Sequence, residues 1–388
     1  MEKRHIDQDI LSHFERYREV AIVLGSRQSG KTTLVKKIFP EAQYLLTDNE
    51  PVRRMLETYD YAVYKTHIKD SGRVLIIDEI HLLSDPGRAV KILYDELKCP
   101  LVITGSSSFH LRNRTTESLA GRKIDYLLFP LTFSEYLYQQ GFEEKLRYWP
   151  EHYLRGDDNF SARKLYDFTF TLNQALVYGL YPGMLNHPSD TRYLENFVDS
   201  LIFKDIIEFG LIENRRAGTD LLRLLAYQTG SMINYSELSD KLQIDQRTVK
   251  RYIEIFEQSF ILFRLYPVLG NKRDEITKSP KIYFYDNGIR NALISDYSDI
   301  SLRPDSGRLF ENMIISEFIK YNHYSRSGIS INYWRTKSGS EVDLVVTGKS
   351  TVTAIEIKKT GGVFSRAFKN RFPDAVARIL TTDNFFQI

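Results

Sequence analysis

The chain has 388 residues, of which 42% are hydrophobic and 27% charged, and its formal net charge is +3. This length predicts about two to three domains with apolar cores, and a charge so close to neutral excludes a protein that binds nucleic acid through a uniformly basic surface. The single cysteine, Cys99, excludes internal disulfides and cysteine-based metal sites.

The start of the chain and its apolar runs bear on localisation. The first ten residues, MEKRHIDQDI, are too polar for a secretory signal peptide. Apolar runs stay well short of the roughly 18 residues that cross a membrane. We therefore expect a cytoplasmic protein that is not inserted in a membrane.

The first motif is GSRQSGKTTL, which follows the apolar run EVAIVLG and precedes KTTLVKKIF, a segment with helical spacing. A strand, a glycine-rich loop and a helix are the context in which G-x-x-x-x-G-K-[ST] binds phosphate through loop N–H groups and the helix N-terminus. We expect Lys31 to reach the β- and γ-phosphates of ATP and Thr32 to hold Mg²⁺. The predicted nucleotide contacts are Gly25, Ser26, Arg27, Gln28, Ser29, Gly30, Lys31, Thr32 and Thr33.

A second apolar strand, in RVLIIDEIH, ends in two acids, Asp78 and Glu79. Active sites of open α/β sheets lie at the carboxyl ends of the strands. Asp78 is therefore predicted to bind Mg²⁺ through water, and Glu79 to polarise the water that attacks the γ-phosphate. A strand that simply ends in solvated acids is the alternative interpretation.

A third strand, in PLVITGSSS, carries Thr104 and Ser106 at its polar end, and SLAGR follows with Arg122. Either hydroxyl could sense the γ-phosphate, or the segment is a serine-rich turn. Arg122 could stabilise transition-state charge, in cis or from a neighbouring subunit of a homo-oligomer formed through the ATPase domain. It could equally be a surface arginine that pairs with an acid.

These runs, GSRQSGKTTL, IIDEIH, ITGSSS and SLAGR, together with FPLTFSEY, resemble a family of bacterial and archaeal AAA-type P-loop ATPases. The resemblance covers nearly the full length of the chain. It implies a winged helix after the ATPase and a C-terminal domain of undefined function with a restriction-endonuclease-like pattern. The family usually has Pro where this chain has Ser26, a departure that we expect to leave phosphate chemistry unchanged because this position contributes mainly backbone.

The middle of the chain, residues 141–215, has a helical and loop-rich pattern. YGLYPGML and LIFKDII resemble motifs of the same family. We assign no chemistry to either and interpret them as helix packing and a turn, within the helical part that follows the nucleotide-binding sheet.

A helix-turn-helix pattern begins near Asp220. LLRLLAYQTG, NYSELSDKLQ and RTVKRYIEIFEQ have helical spacing, and FILFRLYPV and KIYFYD then predict two strands, which completes a winged helix. In a DNA reader the third helix enters the major groove, N-terminal residues first. From Arg247 to Lys281 there are eight Lys or Arg against four Asp or Glu. The predicted DNA contacts are Gln246, Arg247, Lys250 and Arg251; the alternative is a winged helix that binds protein or packs against the ATPase.

The C-terminal region combines a helix, RLFENMIISEFIKY, a hairpin, INYWRTKSGSEVDLVVTG, and a further strand, TVTAIEIKKT. Glu356 and Lys358 are two residues apart and share a strand face, and Asp343 lies on the preceding strand. This is the D…E-x-K pattern of the PD-(D/E)XK nuclease fold. We expect Asp343, Glu356 and Glu311 to hold Mg²⁺ or Mn²⁺, while Lys358 orients or helps to deprotonate a metal-bound water. A retained but inactive site that binds nucleic acid fits the pattern equally well.

The sequence thus predicts an α/β chain with a AAA-type P-loop NTPase domain at 1–140 built on a parallel sheet, and a helical region at 141–215. A winged helix at 216–295 and a restriction-endonuclease-like α/β domain at 296–388 follow. The leading hypothesis is an ATPase that binds, remodels or cuts DNA. The alternatives are a regulatory switch whose C-terminal domain recognises a partner without catalysis, and a chaperone-like ATPase that acts on a protein.

Overall fold

The first layer of the fold is a parallel sheet. The structure, a computed structural model, describes residues 3–68, 72–105, 119–142, 146, 148–156, 169–202, 212–268 and 279–385. In the first three of these ranges, five parallel strands form a sheet of order β2-β3-β4-β1-β5. The strands are β1 Val20–Leu24, β2 Gln43–Leu46, β3 Leu75–Asp78, β4 Leu101–Gly105 and β5 Lys123–Leu127.

The strand order decides which loops meet. Strands β1, β3 and β4 are buried along their whole length, as expected of apolar strands covered on both faces. Because β4 lies between β1 and β3, the carboxyl ends of these three strands are neighbours at one edge of the sheet. The glycine-rich loop after β1 and the acids at the end of β3 therefore share that edge.

Helices pack on this sheet. They are α1 Asp7–Leu11, α2 His13–Arg16, α3 Lys31–Ile38, α4 Glu50–Leu56, α5 Tyr61–His67, α6 Pro86–Lys91 and α7 Phe133–Gln139. A 3₁₀ turn spans Ile80–Leu82, and a π-helical turn, Ile92–Glu96, extends α6. The N-terminus of α7 has a capping box in which Thr132 and Glu135 satisfy each other's backbone N–H groups.

The middle of the chain is helical where it is described, as the sequence pattern indicates. Its helices are α8 Trp149–Arg155, α9 Thr169–Tyr178, α10 Gly183–Asn186 and α11 Thr191–Ile202. Of the two motifs singled out in this region, YGLYPGML joins α9 to α10, and most of LIFKDII lies outside the described residues.

Three helices and a two-stranded antiparallel sheet form the next unit. They are α12 Arg215–Tyr227, α13 Tyr235–Leu242, α14 Gln246–Gln258, β6 Leu262–Leu265 and β7 Lys281–Phe284, and α15 Asn287–Leu293 follows. Asn214, Asn234 and Asp245 cap the three helices through their side chains. The apolar faces of these helices form a second core, separate from that of the parallel sheet.

The C-terminal unit is a long helix followed by a mixed sheet of order β11-β10-β9-β8. Its elements are α16 Ser306–Ser325, β8 Ser330–Arg335, β9 Glu341–Thr347, β10 Val352–Ile357, α17 Arg366–Arg371 and β11 Val376–Leu380. Strands β8, β9 and β10 are antiparallel neighbours, and β11 runs parallel to β10. The predicted helix–strand–strand–strand order is therefore present.

Helix α16 also packs against the first domain. Its Glu317 accepts hydrogen bonds from the backbone N–H of Phe133 (3.1 Å) and the indole of Trp149 (3.0 Å), and Lys320 donates to the carbonyl of Leu131 (3.0 Å). These polar groups are buried. The apolar residues of the parallel sheet and of the C-terminal sheet belong to one continuous core. Within the described part of the chain, none of the helices has the length and apolarity to span a membrane.

Candidate functional site

The glycine-rich loop lies between β1 and α3, as predicted. A Cβ on Gly25 would lie 2.2 Å from the carbonyl oxygen of Leu128, and Gly30 has a φ of 99°, so that both positions require glycine. The buried Lys31 ammonium donates to the carbonyls of Gly25 and Ser26, at 2.9 Å each. The loop is therefore closed around a lysine whose positive charge lies beside the helix N-terminus.

Asp78 is the centre of a group of hydroxyls at the sheet edge. Its Oδ2 accepts hydrogen bonds from Thr32 (2.7 Å) and Tyr44 (2.5 Å), and its Oδ1 accepts one from Thr104. Burial, together with the bond to Asp78, raises the pKa of Tyr44, which therefore stays a donor. The predicted magnesium ligands Thr32 and Asp78 thus meet, and Thr104, one of the two predicted phosphate sensors, joins them.

Glu79 is held in an unusual backbone conformation next to this group. Its φ of 57° is left-handed, and its N–H donates to the Thr104 hydroxyl at 3.1 Å. Its carboxylate lies 3.3 Å from Nδ1 of the buried His81. A non-glycine residue in this region stores strain that the surrounding contacts must hold, which is typical of active sites.

A cavity of about 740 Å³ opens in front of the loop. This volume is within the range of about 300–1,000 Å³ that is usual for small-molecule sites. Its phosphate-loop side is lined by Arg27, Gln28, Gly30, Lys31, Thr32, Thr33 and Glu79. The same cavity is also lined by residues that the sequence did not single out for binding: Gln139, Gln140, Pro182, Gly183, Leu185 and Asn186.

The interpretation of YGLYPGML as packing alone was therefore incomplete. Besides lining the cavity, the segment places the Tyr181 hydroxyl 2.8 Å from Oγ of Ser26, to which it donates. Ser26 thus contributes its side chain as well as its backbone to the structure, while its expected neutrality for phosphate chemistry stays a prediction. The family motif was the only signal in the sequence, since a Tyr-Pro pair specifies a turn and not a partner.

An ion pair supports the loop from behind. The fully buried Arg4 and Glu135 pair at 2.9 Å, and Arg4 also donates to the carbonyls of Ser29 (3.1 Å) and Phe129 (2.9 Å). Burial alone would raise the pKa of Glu135, but Arg4 and His5 hold it below its ordinary value. The FPLTFSEY motif thus has a physical role here, because its Glu135 fixes the arginine that holds the phosphate loop.

The structure contradicts the role in cis that the sequence predicted for Arg122. It directly precedes β5, whose first residue pairs with Val20 at the start of β1, whereas the phosphate loop follows the end of β1. Arg122 is therefore at the opposite edge of the sheet, where it pairs with Asp95 at 3.1 Å. The alternative of a surface arginine that pairs with an acid is the observed one. Ser106, the other predicted phosphate sensor, lies outside the described residues.

In the C-terminal sheet, the D…E-x-K residues meet. The Lys358 ammonium lies 3.3 Å from Asp343 and 2.9 Å from Glu356, and both carboxylates are largely buried. Asp343 also accepts the N–H of Ile357 at 2.8 Å. Burial would lower the pKa of Lys358, but the two carboxylates raise it, so that the amine stays charged and is better suited to orienting a water than to deprotonating it.

The fourth predicted residue, Glu311, has a different partner. Its Oε1 accepts from Tyr283 (2.5 Å) and lies 3.7 Å from the ammonium of Lys281, which also pairs with Glu341. Lys281 comes from β7 and is buried. Among the described residues, no three carboxylate, imidazole or thiolate groups are close enough to hold one metal ion. Glu311, which pairs with Lys281, therefore does not join Asp343 and Glu356 in the predicted three-ligand metal site.

The residues predicted to contact DNA lie on one exposed surface. Gln246, Arg247, Lys250 and Arg251 are all exposed at the start of α14. Two other cations of the basic segment from Arg247 to Lys281 do not add to this surface. Arg264 donates to Glu257 at 2.9 Å, and Lys281 is buried. Three more, Lys272, Arg273 and Lys278, are outside the described residues. Of the described cations between Arg247 and Lys281, the three at the start of α14 therefore remain for an exposed basic surface.

Comparison with known families defines the class of the first domain. Residues 17–137 match the family model described as "AAA domain". Residues 169–300 and 306–375 match two models described as "Domain of unknown function", DUF8612 and DUF4143. The parallel sheet, the phosphate loop with its acidic partner strand and the first of these matches make this part of the chain similar to AAA-type P-loop ATPase domains.

Individual relatives extend along most of the chain. It is 26% identical over 372 residues to the uncharacterized protein MJ1637 of Methanocaldococcus jannaschii, covering 89% of this chain and 78% of the relative. It is 25% identical over 351 residues to the uncharacterized protein Rv2008c of Mycobacterium tuberculosis, covering 88% and 70%.

Among solved structures, the Walker-type ATPase PABY2304 of Pyrococcus abyssi has a TM-score of 0.44 and 16% identity, covering 76% of this chain and 95% of that one. The ORC1 protein of Aeropyrum pernix, solved in complex with DNA, has a TM-score of 0.31 and 14% identity, covering 75% and 90%.

Proposed function

We propose that the chain is a Mg²⁺-dependent ATPase. The observation that carries the proposal is the group at the sheet edge, in which Asp78 lies within hydrogen-bonding distance of Thr32 while Glu79 lines the cavity beside it. Hydrolysis needs phosphate binding, charge neutralisation and an oriented water. Lys31 and the loop N–H groups supply the first, and Glu79 supplies the last by accepting a proton from the attacking water.

The residues fit a magnesium ion. Thr32 offers a hydroxyl and Asp78 a carboxylate, which are the hard oxygen donors that Mg²⁺ prefers, and Mg²⁺ is usually held by one or two such groups plus phosphates. When bound, the ion neutralises phosphate charge during transfer. Thr104 and Tyr44 hold the Asp78 carboxylate in place through its two oxygens.

Two variants test the proposal. Lys31→Ala should lose nucleotide binding, measured by titration with a fluorescent ATP analogue, and hydrolysis. Glu79→Gln should keep binding but lower kcat by at least about 100-fold, because it removes the base while leaving the phosphate contacts. Lys37→Ala, an exposed lysine on the same helix, is the matched control. ATP turnover by Lys31→Ala at the wild-type rate would refute the assignment of phosphate binding to Lys31.

We propose further that ATP turnover is directed at DNA. Three exposed cations, Arg247, Lys250 and Arg251, occupy the first two turns of α14, the helix that would enter a major groove if the unit 215–284 is a winged helix. Asp245 caps this helix, so the cations stand on a rigid element. Measuring ATP turnover with single-stranded, duplex and branched DNA, with RNA and without nucleic acid tests this coupling.

A second candidate function is cleavage of nucleic acid by the C-terminal unit. The convergence of Asp343, Glu356 and Lys358 on neighbouring strands supports it, because the two carboxylates could hold a divalent cation while the lysine orients a water. The opposing hypothesis is a silent domain that acts as a regulatory switch. The buried contact of Lys281 with Glu311 supports that alternative, since it neutralises one of the three predicted metal ligands.

A further inference from the structure

Two consecutive residues, Leu180 and Tyr181, belong to different cores of the protein. Leu180 is buried in the core that includes the parallel sheet, and Tyr181 is buried in the core of the helices and the β6–β7 hairpin. The chain therefore passes from one core to the other between these two residues. A movement of either core must act on this short junction, Leu180–Pro182, which also borders the nucleotide cavity through Pro182.

On the side of the phosphate loop, the junction is attached through a hydroxyl. Tyr181 donates to Oγ of Ser26 at 2.8 Å, and both residues are almost fully buried. The Tyr181 ring packs against Phe197 of α11, with ring centroids 4.6 Å apart. A buried hydroxyl pair is costly to separate, because each group would lose its partner without gaining water. The phosphate loop and the ring of Tyr181 therefore move together.

On the side of the helices, the junction is attached through its backbone. The N–H of Leu180 donates to Oδ2 of Asp286 at 2.5 Å, whereas its carbonyl accepts the N–H of Leu131, in the first domain, at 2.9 Å. Asp286 also caps α15 by accepting the N–H of Ile289 at 3.2 Å. A Cβ on Gly179 would lie 2.1 Å from Oδ1 of Asp286, so this close approach requires glycine.

Helix α15 connects Asp286 to α12. The guanidinium of Arg290 donates to the carbonyl of Ala226, at the end of α12, at 2.8 Å and pairs with Asp305 at 2.6 Å. Helix α12 is the first helix of the unit that carries the basic surface of α14. A continuous series of buried polar contacts thus leads from Ser26 to α12.

We infer that Tyr181 is a positioning residue of the nucleotide site that couples the state of the phosphate loop to the position of α12 and α15. The inference rests on the proposed ATPase function. When a nucleotide reorganises the loop around Lys31, Ser26 shifts the Tyr181 hydroxyl, and the rigid junction carries that shift to Asp286 and the cap of α15. The coupling is reciprocal, so that a partner bound to the helices alters nucleotide affinity.

Hydrogen exchange of backbone amides tests the inference on the full chain. The adenine nucleotide used is a non-hydrolysable ATP analogue with Mg²⁺. In the wild type it should slow exchange in 287–293 as well as in the phosphate loop. Tyr181→Phe should weaken nucleotide binding by only about 3- to 10-fold, the value of one neutral hydrogen bond, and should abolish the slowing in 287–293 at saturating nucleotide. Its KM for ATP should rise more than its kcat falls.

Two further variants test whether the hydrogen bond between Tyr181 and Ser26 causes the changes in nucleotide binding and in hydrogen exchange. Ser26→Ala should reproduce both effects, and the double variant should add nothing to either single one, because all three break the same bond. Tyr227→Phe removes a hydroxyl from an exposed position of α12 and should behave as the wild type.

The results of these experiments distinguish a failure of the coupling from a failure of the proposed ATPase function. Undiminished slowing in 287–293 in Tyr181→Phe, or additive effects of Ser26→Ala and Tyr181→Phe, overturns the inference. A wild type that binds nucleotide without any effect on 287–293 also overturns it. A wild type that fails to bind the fluorescent nucleotide refutes the proposed ATPase function first, and the coupling with it.

Discussion

The Thr104 hydroxyl donates a hydrogen bond to Oδ1 of Asp78. The oxygen of the same hydroxyl accepts the backbone N–H of Glu79 at 3.1 Å. A residue of β4 thus holds both acids at the end of β3. This contact exists because β4 lies between the strand that carries the phosphate loop and the strand that carries the acids.

Replacing this hydroxyl should impair chemistry more than binding. Thr104→Val removes a group that orients Asp78 and Glu79, and we expect kcat for ATP to fall by about 100-fold, comparable to the loss of one positioned catalytic donor. Nucleotide affinity should change little, because the phosphate loop is untouched. Steady-state ATPase assays and nucleotide titration measure the two quantities. Thr353→Val, at a buried threonine of the C-terminal sheet, is the control. An unchanged kcat would exclude this role for Thr104.

The C-terminal site predicts metal-dependent cleavage that specific variants remove. If the unit cuts DNA, Asp343→Ala and Lys358→Ala should each abolish nicking of a supercoiled plasmid in Mg²⁺ or Mn²⁺, because both remove groups that hold or orient the attacking water. Lys359→Ala, next in sequence, is the control. Absence of cleavage by the wild type on single-stranded, duplex and branched DNA would favour the silent switch.

The basic surface of α14 predicts salt-dependent DNA binding. Reversing the charges of Arg247, Lys250 and Arg251 should weaken binding of a duplex. It should also flatten the salt dependence, by about 0.9 in slope for each phosphate that the variant no longer neutralises. Fluorescence anisotropy at several salt concentrations measures both. Wild-type binding by this variant would assign the DNA-binding role to another surface.

A matched control separates this effect from that of net charge. Arg54, Lys65 and Lys91 are exposed cations of the first domain. Reversing them changes the charge of the molecule by the same amount, and it should leave the salt slope close to that of the wild type.

Lys281 should be a large contributor to stability. It is buried between Glu311 and Glu341, and removing the cation of a buried charge group costs up to about 3–5 kcal/mol. Glu311 would keep only its hydrogen bond from Tyr283, and Glu341 only its pair with Arg335. We expect Lys281→Met to lower the urea midpoint and a second substitution, Glu311→Gln, to restore part of the loss. Lys349→Met, at an exposed position, is the control. A midpoint equal to that of the wild type would show that the acids do not need this lysine.

His5 should make the protein sensitive to acid. Burial lowers the pKa of His5 from 6.5 to about 4, with Arg4 acting in the same direction and Glu135 against it. Between these values the unfolded chain binds a proton that the folded chain does not, so the free energy of unfolding falls as the pH falls from 6.5 to about 4. At about 1.4 kcal/mol per pH unit, the loss is about 3 kcal/mol.

The test of this prediction uses a substitution that keeps a ring at the position. The His5 ring stacks on Tyr148 with centroids 4.0 Å apart, which His5→Phe preserves. The variant should lose less stability than the wild type between pH 7 and pH 4 in urea unfolding experiments. His67→Phe, at an exposed histidine, should follow the wild type. Equal pH dependence of wild type and His5→Phe would contradict the assignment.

Features that depend on neighbouring residues could be predicted. The phosphate loop, the acids at the end of β3 and the pair Glu356 and Lys358 each lie on a short segment. The strand and helix periodicity of such a segment shows which side chains share an edge or a face. Even the failure of the cis role predicted for Arg122 has a local signal, because this residue precedes its strand, whereas Asp78 ends its own. In parallel strands those two positions are at opposite edges of the sheet.

By itself, the sequence determined the nature of the nucleotide site. A strand, a loop and a helix that are adjacent in sequence fold locally into a phosphate-binding loop, because Gly25 and Gly30 provide the required backbone freedom. Only the tertiary structure decided what surrounds that loop. Tyr181 meets Ser26 across 155 positions, Arg4 meets Phe129 across 125, and Lys281 is buried beside Glu311. Such contacts follow from how separate elements pack together, and packing depends on shape and burial over the whole chain, which no local pattern of residue types encodes.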